Sequence, residues 1–336
     1  MGLNVAILGA TGLVGQKFIQ LLEERKFSLS SLRLLASDRS KGRKLTFHGE
    51  EVKVEEASPS SFQGVNIALF SSGADVDRYF APLAIQKGAV VIDNSSAFRM
   101  DESTPLVVPE VNPEDIKLHQ GVIANPNCST IQMVVALYPL HKLSPLTRII
   151  VSTYQAVSGS GAPAVEELRR ETELLNQGQT FTSQFYPHQI ALSLIPQVDD
   201  FTPDGYTKEE WKMVDETRKI MHAPDIAISA TCVRVPVVCG HSEAIWAEFS
   251  SPIEPDEARN ILRFSPGVEV VDEPQKSIYP LPQLCEDKDA VLVGRIRKDF
   301  SSPTGLTMWV VADNLRKGAA LNAIQIAEVM VGKGWI

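Results

Sequence analysis

Apolar residues in the first 145 positions fall into short continuous runs, each followed by a stretch of helical period. Residues 3–8 (LNVAIL) read as a buried strand. The glycine-spaced run Gly9-Ala10-Thr11-Gly12-Leu13-Val14-Gly15 follows. A helix-period segment comes next, in which Leu13, Val14, Phe18, Leu21 and Leu22 share a face. Further strands are predicted at 32–36, 65–70, 89–93 and 121–124, with helical stretches such as 75–87 between them. Strands alternating with helices predict an α/β fold with a parallel, doubly wound sheet of Rossmann type.

Beyond residue 145 the pattern changes. The runs 148–156, 227–238, 243–250 and 306–312 alternate or are rich in β-branched residues, and amphipathic helices are predicted at 164–176, 207–221 and 255–264. This is the pattern of an α+β unit, a mixed sheet with helices on one face. The segment 315–331 places Ala320, Ile324, Ala327 and Val331 on one stripe, as a C-terminal helix returning to the first domain would. No internal repeat or low-complexity tract interrupts the chain.

Composition narrows the function classes. The 336 residues, 44% hydrophobic and 22% charged, support a large core without staples. A formal net charge of -9 opposes general binding to nucleic acids or anionic membranes. The four cysteines lie far apart with no CxxC pair, which argues against a zinc knuckle or a secreted disulfide scaffold, and no metal site is expected. No secretory leader is apparent, and no apolar run approaches the ~20 residues that span a bilayer. A cytoplasmic protein is expected, or an organellar one if a transit peptide has been removed.

Glycines after a first strand let the backbone turn tightly and approach a pyrophosphate at the following helix N-terminus. The spacing here is G-x-x-G-x-x-G, so Gly9, Thr11, Gly12, Leu13 and Val14 are candidate dinucleotide contacts. A plain strand–helix turn is the competing reading. The end of the second strand should meet the adenosine ribose, and it reads Ser37-Asp38-Arg39-Ser40-Lys41-Gly42-Arg43. Ser37, Arg39 and Ser40 suit the 2′-phosphate of NADP, whereas Asp38 pulls towards NAD.

Chemistry concentrates at Asn125-Pro126-Asn127-Cys128-Ser129-Thr130, where a strand ends and a helix begins, with Ser129 or Thr130 as the expected cap. A thiol at a helix N-terminus is favoured as thiolate, and the same N–H groups, with Asn127, suit an oxyanion. Cys232, Cys239 and Cys285 have apolar or featureless surroundings and read as packing. Among six histidines, His241 stands out in Arg234-Val-Pro-Val-Val-Cys-Gly-His241-Ser-Glu243, where a cation and a base reach one pocket.

The motifs GATGLVG, DNSSAFRM (93–100), NPNCST (125–130), STYQAVSGSGAPA (152–164), ATCVRVPV…GHSE (230–243) and DNLRKGAALNA (313–323) occur in this order. Together they resemble the aspartate-β-semialdehyde dehydrogenases over essentially the full chain. The related N-acetyl-glutamyl-phosphate reductases carry Gly-Cys-Tyr-Pro where this chain has Asn-Cys-Ser-Thr. Glyceraldehyde-3-phosphate dehydrogenase would show Ser-Cys-Thr-Thr-Asn.

The resemblance implies reversible NADPH-dependent reductive dephosphorylation of L-aspartyl-4-phosphate to L-aspartate-4-semialdehyde, in the route to lysine, diaminopimelate, threonine and methionine. It implies that Cys128 carries an acyl-thioester, that His241 relays a proton, that Gln155 orients the thioester and that Asn127 holds its oxygen. By the same resemblance Arg234 grips the α-carboxylate, Glu209 takes the amino group, and Arg99 and Lys212 bind phosphate. Ser72 and Gly73 are expected at the cofactor phosphate or ribose. Ser158, Gly159, Gly161 and Asn314 are expected at its nicotinamide end, with helix capping the rival role for Asn314. The implied domains are 1–129 with 315–336 for the dinucleotide and 130–314 for catalysis and dimerisation. A homodimer is expected, with a tetramer as the alternative.

Two other readings compete. Another acyl-phosphate reductase of the same plan would prefer a different semialdehyde. A non-catalytic cofactor sensor would lack the nucleophile or the base, and this chain has both.

Overall fold

Strand β1 (Leu3–Leu8) runs down the middle of a seven-stranded sheet in the computed structural model, which describes residues 2–336. It leads through the glycine run into α1 (Leu13–Glu24) and then β2 (Leu29–Ala36), which pairs with it in parallel. A hairpin that the apolar runs did not indicate follows, β3 (Lys44–Phe47) and β4 (Glu50–Glu56). Its two-residue turn is His48-Gly49, both at positive φ, the conformation that matches strand twist in tight hairpins. Strand β5 (Ile67–Phe70), α2 (Ala74–Gln86), β6 (Val90–Asp93) and β7 (Val122–Ala124) complete the sheet.

The order β3-β4-β2-β1-β5-β6-β7 is parallel except for the β3–β4 pair. Successive strands leave β1 first to one side and then to the other, so the ligand crevice of such a sheet lies at the carboxyl ends of β1 and β5. Both faces of β1 are buried, which is why it reads as a continuous apolar run. Val5 and Ile7 pack with Phe18, Leu22 and Ile324 on one side. Ala6 and Leu8 pack with Phe62, Phe70 and Ala81 on the other.

The second unit opens with α3 (Cys128–Leu143) and β8 (Leu146–Gln155), followed by α4 (Ala162–Asn176), α5 (Lys208–Ile220), β9 (Ala227–Arg234), β10 (His241–Phe249) and α6 (Pro255–Arg263). It closes with β11 (Val268–Val270), α7 (Pro282–Cys285), β12 (Val291–Lys298) and β13 (Gly305–Ala312); β11 and β12 were not foreseen. The strands form a mixed sheet in the order β11-β12-β13-β10-β8-β9. Helix α3 packs on β10, β12 and β13 and against α5 and α6, and is buried from Ser129 to Leu137. The opposite sheet face leaves Ile150, Tyr154, Trp246 and Trp309 partly exposed.

A π-helical turn, Arg316–Ala320, then leads into α8 (Leu321–Lys333). Ala320, Ile324 and Ala327 are buried as the stripe predicted, but Val331 is exposed, close to the helix end at Gly334. Residues up to Asn127 with Ala319–Ile336 make one compact unit and Cys128–Gly318 the other.

Candidate active site

In the first unit, every segment expected to meet a dinucleotide lies at the carboxyl end of a parallel strand. Gly9 follows β1 at φ +88°, and a side chain there would strike the Ser71 carbonyl. Gly15 is needed for packing: a Cβ would stand 2.2 Å from the Gly9 carbonyl oxygen. Gly12 differs, because its added Cβ would meet only the Gly9 oxygen, at 3.4 Å. It is also the N-cap of α1, and no side chain caps that helix. An uncapped helix start behind an exposed glycine suits a pyrophosphate, since its N–H groups and dipole attract anions.

After β2, Thr11 and Ser40 stand within hydrogen-bond reach at 3.3 Å. Lys41 is engaged by Glu56 at 3.0 Å, while Arg39 is exposed and makes no ion pair among the described residues. After β5, the Ser72 hydroxyl donates to Asp77, and Gly73 caps α2 at φ +106°. Asp77 is pushed up to about 7 by burial and the charge of Asp93, and burial raises Asp93 as well. Burial disfavours charge on both carboxyls, and the charge of Asp93 disfavours it further on Asp77. Asp93 also accepts from the Ser95 N–H and hydroxyl at 3.1 and 2.8 Å, shaping the turn that carries Arg99. Arg99 is buried and donates to the Asn94 carbonyl at 3.0 Å.

In the second unit, α3 begins at Cys128 itself. Ser129 and Thr130 therefore lie buried inside its first turn and do not cap it; Asn127 is the residue before the helix. Cys128 forms no disulfide and is half-buried. Cys232 and Cys239 have their thiol pKa raised by burial, and Cys285 is pushed up to about 12 for the same reason, which keeps them as thiols.

Gln155, Arg234 and His241 stand in one row across three strands. Gln155 pairs with Arg234 in the β8–β9 register, and His241 precedes the Ser242–Tyr154 pair of β10 and β8. All three are buried. The next row holds Cys232, Thr153 and Glu243. Gln155 Nε2 donates to Glu209 Oε1 at 3.1 Å, and Lys212 donates to Glu209 at 3.2 Å and to Asp199 at 2.7 Å. Thr207 and Glu210 form a capping box that sets the start of α5 and so the position of Glu209.

One residue that the sequence reading passed over, Ala156, organises the row. Its N–H donates to His241 Nδ1 at 3.0 Å, and its carbonyl accepts from Arg234 Nη1 at 2.7 Å. The neutral imidazole therefore carries its proton on Nε2. Burial, and then the Arg234 charge, hold the His241 pKa well below the usual histidine range. Gly159 faces this pair: a Cβ there would lie 3.1 Å from both His241 Nε2 and Arg234 Nη1. Any side chain at 159 would fill the space above them.

Asn314 ties this wall together. Its oxygen accepts from the Gly240 N–H at 2.9 Å and its amide donates to Ser158 Oγ at 2.9 Å. Asp313, not Asn314, caps the turn that follows, accepting from the N–H groups of Leu315 and Arg316. Ser158 is buried, and Gly161 at φ +90° starts α4. Backbone roles such as that of Ala156 leave no mark on residue type. Glu243 did carry a signal, two residues from His241 on the same strand face. Burial raises its pKa well above the carboxylate range.

Among the described residues no helix is long and apolar enough to cross a membrane, and no group of three or more His, Cys, Asp or Glu is arranged to hold a metal ion. A family model described as "Semialdehyde dehydrogenase, NAD binding domain" matches residues 4–119. Another, "Semialdehyde dehydrogenase, dimerisation domain", matches residues 137–317. The chain is similar to the aspartate-semialdehyde dehydrogenase of Aquifex aeolicus, with 55% identity covering 100% of each chain. It is also similar to the crystal structure of aspartate semialdehyde dehydrogenase II from Vibrio cholerae complexed with ASA, with a TM-score of 0.96, 47% identity and 98% of each chain covered. The structure of the Candida albicans enzyme with NADP matches with a TM-score of 0.79 at 27% identity, covering 100% of each chain. The glycine turn at the carboxyl end of β1, the cysteine that opens α3 and the Arg–Gln–His row thus belong to a member of the aspartate-semialdehyde dehydrogenase family of oxidoreductases.

Proposed function

We propose that this protein catalyses the reversible NADPH-dependent reductive dephosphorylation of L-aspartyl-4-phosphate to L-aspartate-4-semialdehyde through a thioester on Cys128. The observation that carries the reading is the buried row Arg234–Gln155–His241 with Glu209 attached to Gln155. It gathers a cation, an anion and a neutral imidazole around one buried row, as an α-carboxylate, an α-ammonium and a reacting acyl carbon require.

The helix N-terminus favours Cys128 as thiolate. The sulfur attacks the acyl carbon, the carbon–oxygen bond breaks, and phosphate departs with the electron pair towards Arg99 and Lys212. A thioester remains, so phosphate loss is separated from reduction. When bound, the reduced dinucleotide supplies the hydride. The chain's part in that step is to hold the thioester oxygen, through the Nε2–H of His241 and the amide of Asn127, as negative charge develops there. When that charge returns to form the aldehyde carbonyl, the carbon–sulfur bond breaks and Cys128 leaves as thiolate. This sequence balances with His241 as a hydrogen-bond donor. The proton relay that the motifs imply for His241 is not required for this balance.

Gly9, Thr11, Gly12, Leu13 and Val14 hold the pyrophosphate in this reading, and Ser37, Arg39 and Ser40 the 2′-phosphate that distinguishes NADP. Ser72 and Gly73 serve the adjoining ribose and phosphate, and Ser158, Gly159, Gly161 and Asn314 the nicotinamide end. The partly exposed sheet face around Ile150 and Trp246 is the surface on which a second copy would pair, giving a homodimer. The activity places the protein in the cytoplasmic biosynthesis of lysine, diaminopimelate, threonine and methionine.

The test is phosphate-dependent reduction of NADP by aspartate semialdehyde, set against N-acetylglutamate semialdehyde. Turnover is expected with the first alone. Cys128→Ser is expected to lose at least about 10³-fold in kcat. Near-normal turnover in that variant would exclude the thioester.

A further inference from the structure

Gly318 lies in the π-helical turn Arg316–Ala320, and its neighbour in space is Cys128. A Cβ built on Gly318 would stand 2.9 Å from the Cys128 Cβ and 3.3 Å from its Cα. Carbon atoms in ordinary contact are about 3.5–4.0 Å apart. Any residue other than glycine therefore has to push the turn and Cys128 apart by roughly 0.5–1 Å. No positive φ demands glycine here; close approach does.

The turn cannot yield easily, because it is stapled at several points. The Gly318 N–H donates to the Asp313 carbonyl at 3.0 Å. Asp313 Oδ1 accepts from Leu315 and Arg316 at 2.9 and 3.0 Å, and its Oδ2 accepts from the Asp287 N–H at 2.9 Å. Arg316 is bound to Asp289 at 2.5 Å. The same short stretch reaches the other side of the site, since Asn314 holds the Gly240 N–H immediately before His241 and the Ser158 hydroxyl immediately before Gly159. One stretch, Asp313–Gly318, thus touches the cysteine at one end and fixes the strand that starts with His241 at the other. A π-helical turn inserted at such a place is characteristic of functional sites.

We propose that Gly318 is a positioning residue for the nucleophile, and that the Asp313–Gly318 turn is the spacer that sets where the Cys128 sulfur stands relative to His241. The proposal rests on the reading of Cys128 as the nucleophile. Its physical content is steric: the missing side chain lets the stapled turn seat against the cysteine backbone, which locks the first residue of α3.

The test compares Gly318→Ala with the unmodified protein in three measurements. They are the second-order rate of Cys128 alkylation by iodoacetamide across pH, followed by peptide mass spectrometry, the kcat and KM for aspartate semialdehyde, and the thermal midpoint. A misplacement of about 1 Å costs about 10²-fold in rate. Gly318→Ala is therefore expected to lower kcat by about 10- to 100-fold with KM within about 3-fold, and to change the alkylation–pH profile. Wild-type kcat and an unchanged alkylation profile in a folded Gly318→Ala protein would overturn the proposal.

Should Gly318→Ala fail to fold, Asp313 decides the matter. Asp313→Ala removes the staple and is expected to lower kcat and alter alkylation in the same way, while Asp313→Asn, which keeps an oxygen facing Leu315 and Arg316 but loses the acceptor for the Asp287 N–H, should cost less than Asp313→Ala in both readouts. Unchanged alkylation and kcat in Asp313→Ala would again overturn it. Alkylation needs no substrate, so these results stay interpretable even if Cys128→Ser kept turnover and the proposed reaction were wrong.

Discussion

Arg234 and His241 are held by the two peptide groups of one residue: the carbonyl of Ala156 accepts from the guanidinium and its N–H donates to the imidazole. The cation is thereby fixed beside a buried ring that it helps keep neutral. The coupling is testable. Burial is the larger cause of the lowered pKa, so in Arg234→Gln the titration of the His241 ring, followed by NMR, should move upward yet stay below about 6.5. KM for the semialdehyde should rise about 10- to 100-fold, as expected when a charged hydrogen bond is lost. A ring titration that coincides with wild type would mean that the arginine does not act on the ring.

His241→Ala should lower kcat by about 10²–10³-fold with less effect on KM, the usual loss when one oxyanion donor is removed. Stability offers an independent check. The folded pKa is depressed, so the unfolded chain binds more protons below about 6.5, and stability falls as pH falls through that range. Denaturant titrations at pH 5 and 7.5 should show a smaller difference between the two pH values in His241→Ala than in wild type.

Glu243 carries the opposite sign. Its pKa is raised in the fold, so its contribution is fully present below the unfolded value and is lost as pH rises through the folded one. Glu243→Gln keeps the shape and cannot ionise. It should melt several degrees higher than wild type at pH 8 and nearly the same at pH 4.5, with turnover retained. Equal melting differences at the two pH values would show that the carboxyl does not titrate as argued.

Cofactor choice should turn on Arg39, the exposed cation after β2 that no acidic group engages among the described residues. Arg39→Ala is expected to raise KM for NADP by about 10- to 100-fold while leaving KM for NAD within about 2-fold. A parallel rise for both dinucleotides would place the 2′-phosphate elsewhere.

Gly12 and Gly15 of the first loop should separate by role. Gly15→Ala drives a methyl against the Gly9 carbonyl and should cost about 1–3 kcal/mol of stability, as overpacking does. Gly12→Ala has room for the methyl and should fold normally while binding NADPH more weakly. Chemical denaturation together with fluorescence titration of NADPH would reveal a reversal of that order.

Much of the fold was legible because its signals are local. A continuous apolar run such as 3–8 marks a strand covered on both faces, and the glycine run marks the turn that follows. The β3–β4 hairpin escaped because Leu45, Phe47, Val52 and Val54 are sparse among charged residues, and His48-Gly49 is a weaker turn signal than Asn-Gly. Ser129 and Thr130 looked like caps because residue type alone does not say where a helix begins, and the helix already begins at Cys128, with Asn127 before it.

The sequence by itself determined the family, the alternation of strand and helix, and which side chains carry chemistry, since these depend on residue type and order along the chain. Only the tertiary structure decided how those groups are poised. That His241 presents Nε2 depends on an N–H from Ala156, and its neutral state depends on complete burial beside Arg234. That Gly318 must be glycine depends on a contact with Cys128 across 190 residues of chain, as the numbering gives. Such constraints arise from distances between atoms far apart in sequence, and the backbone groups that impose them are the same in every residue.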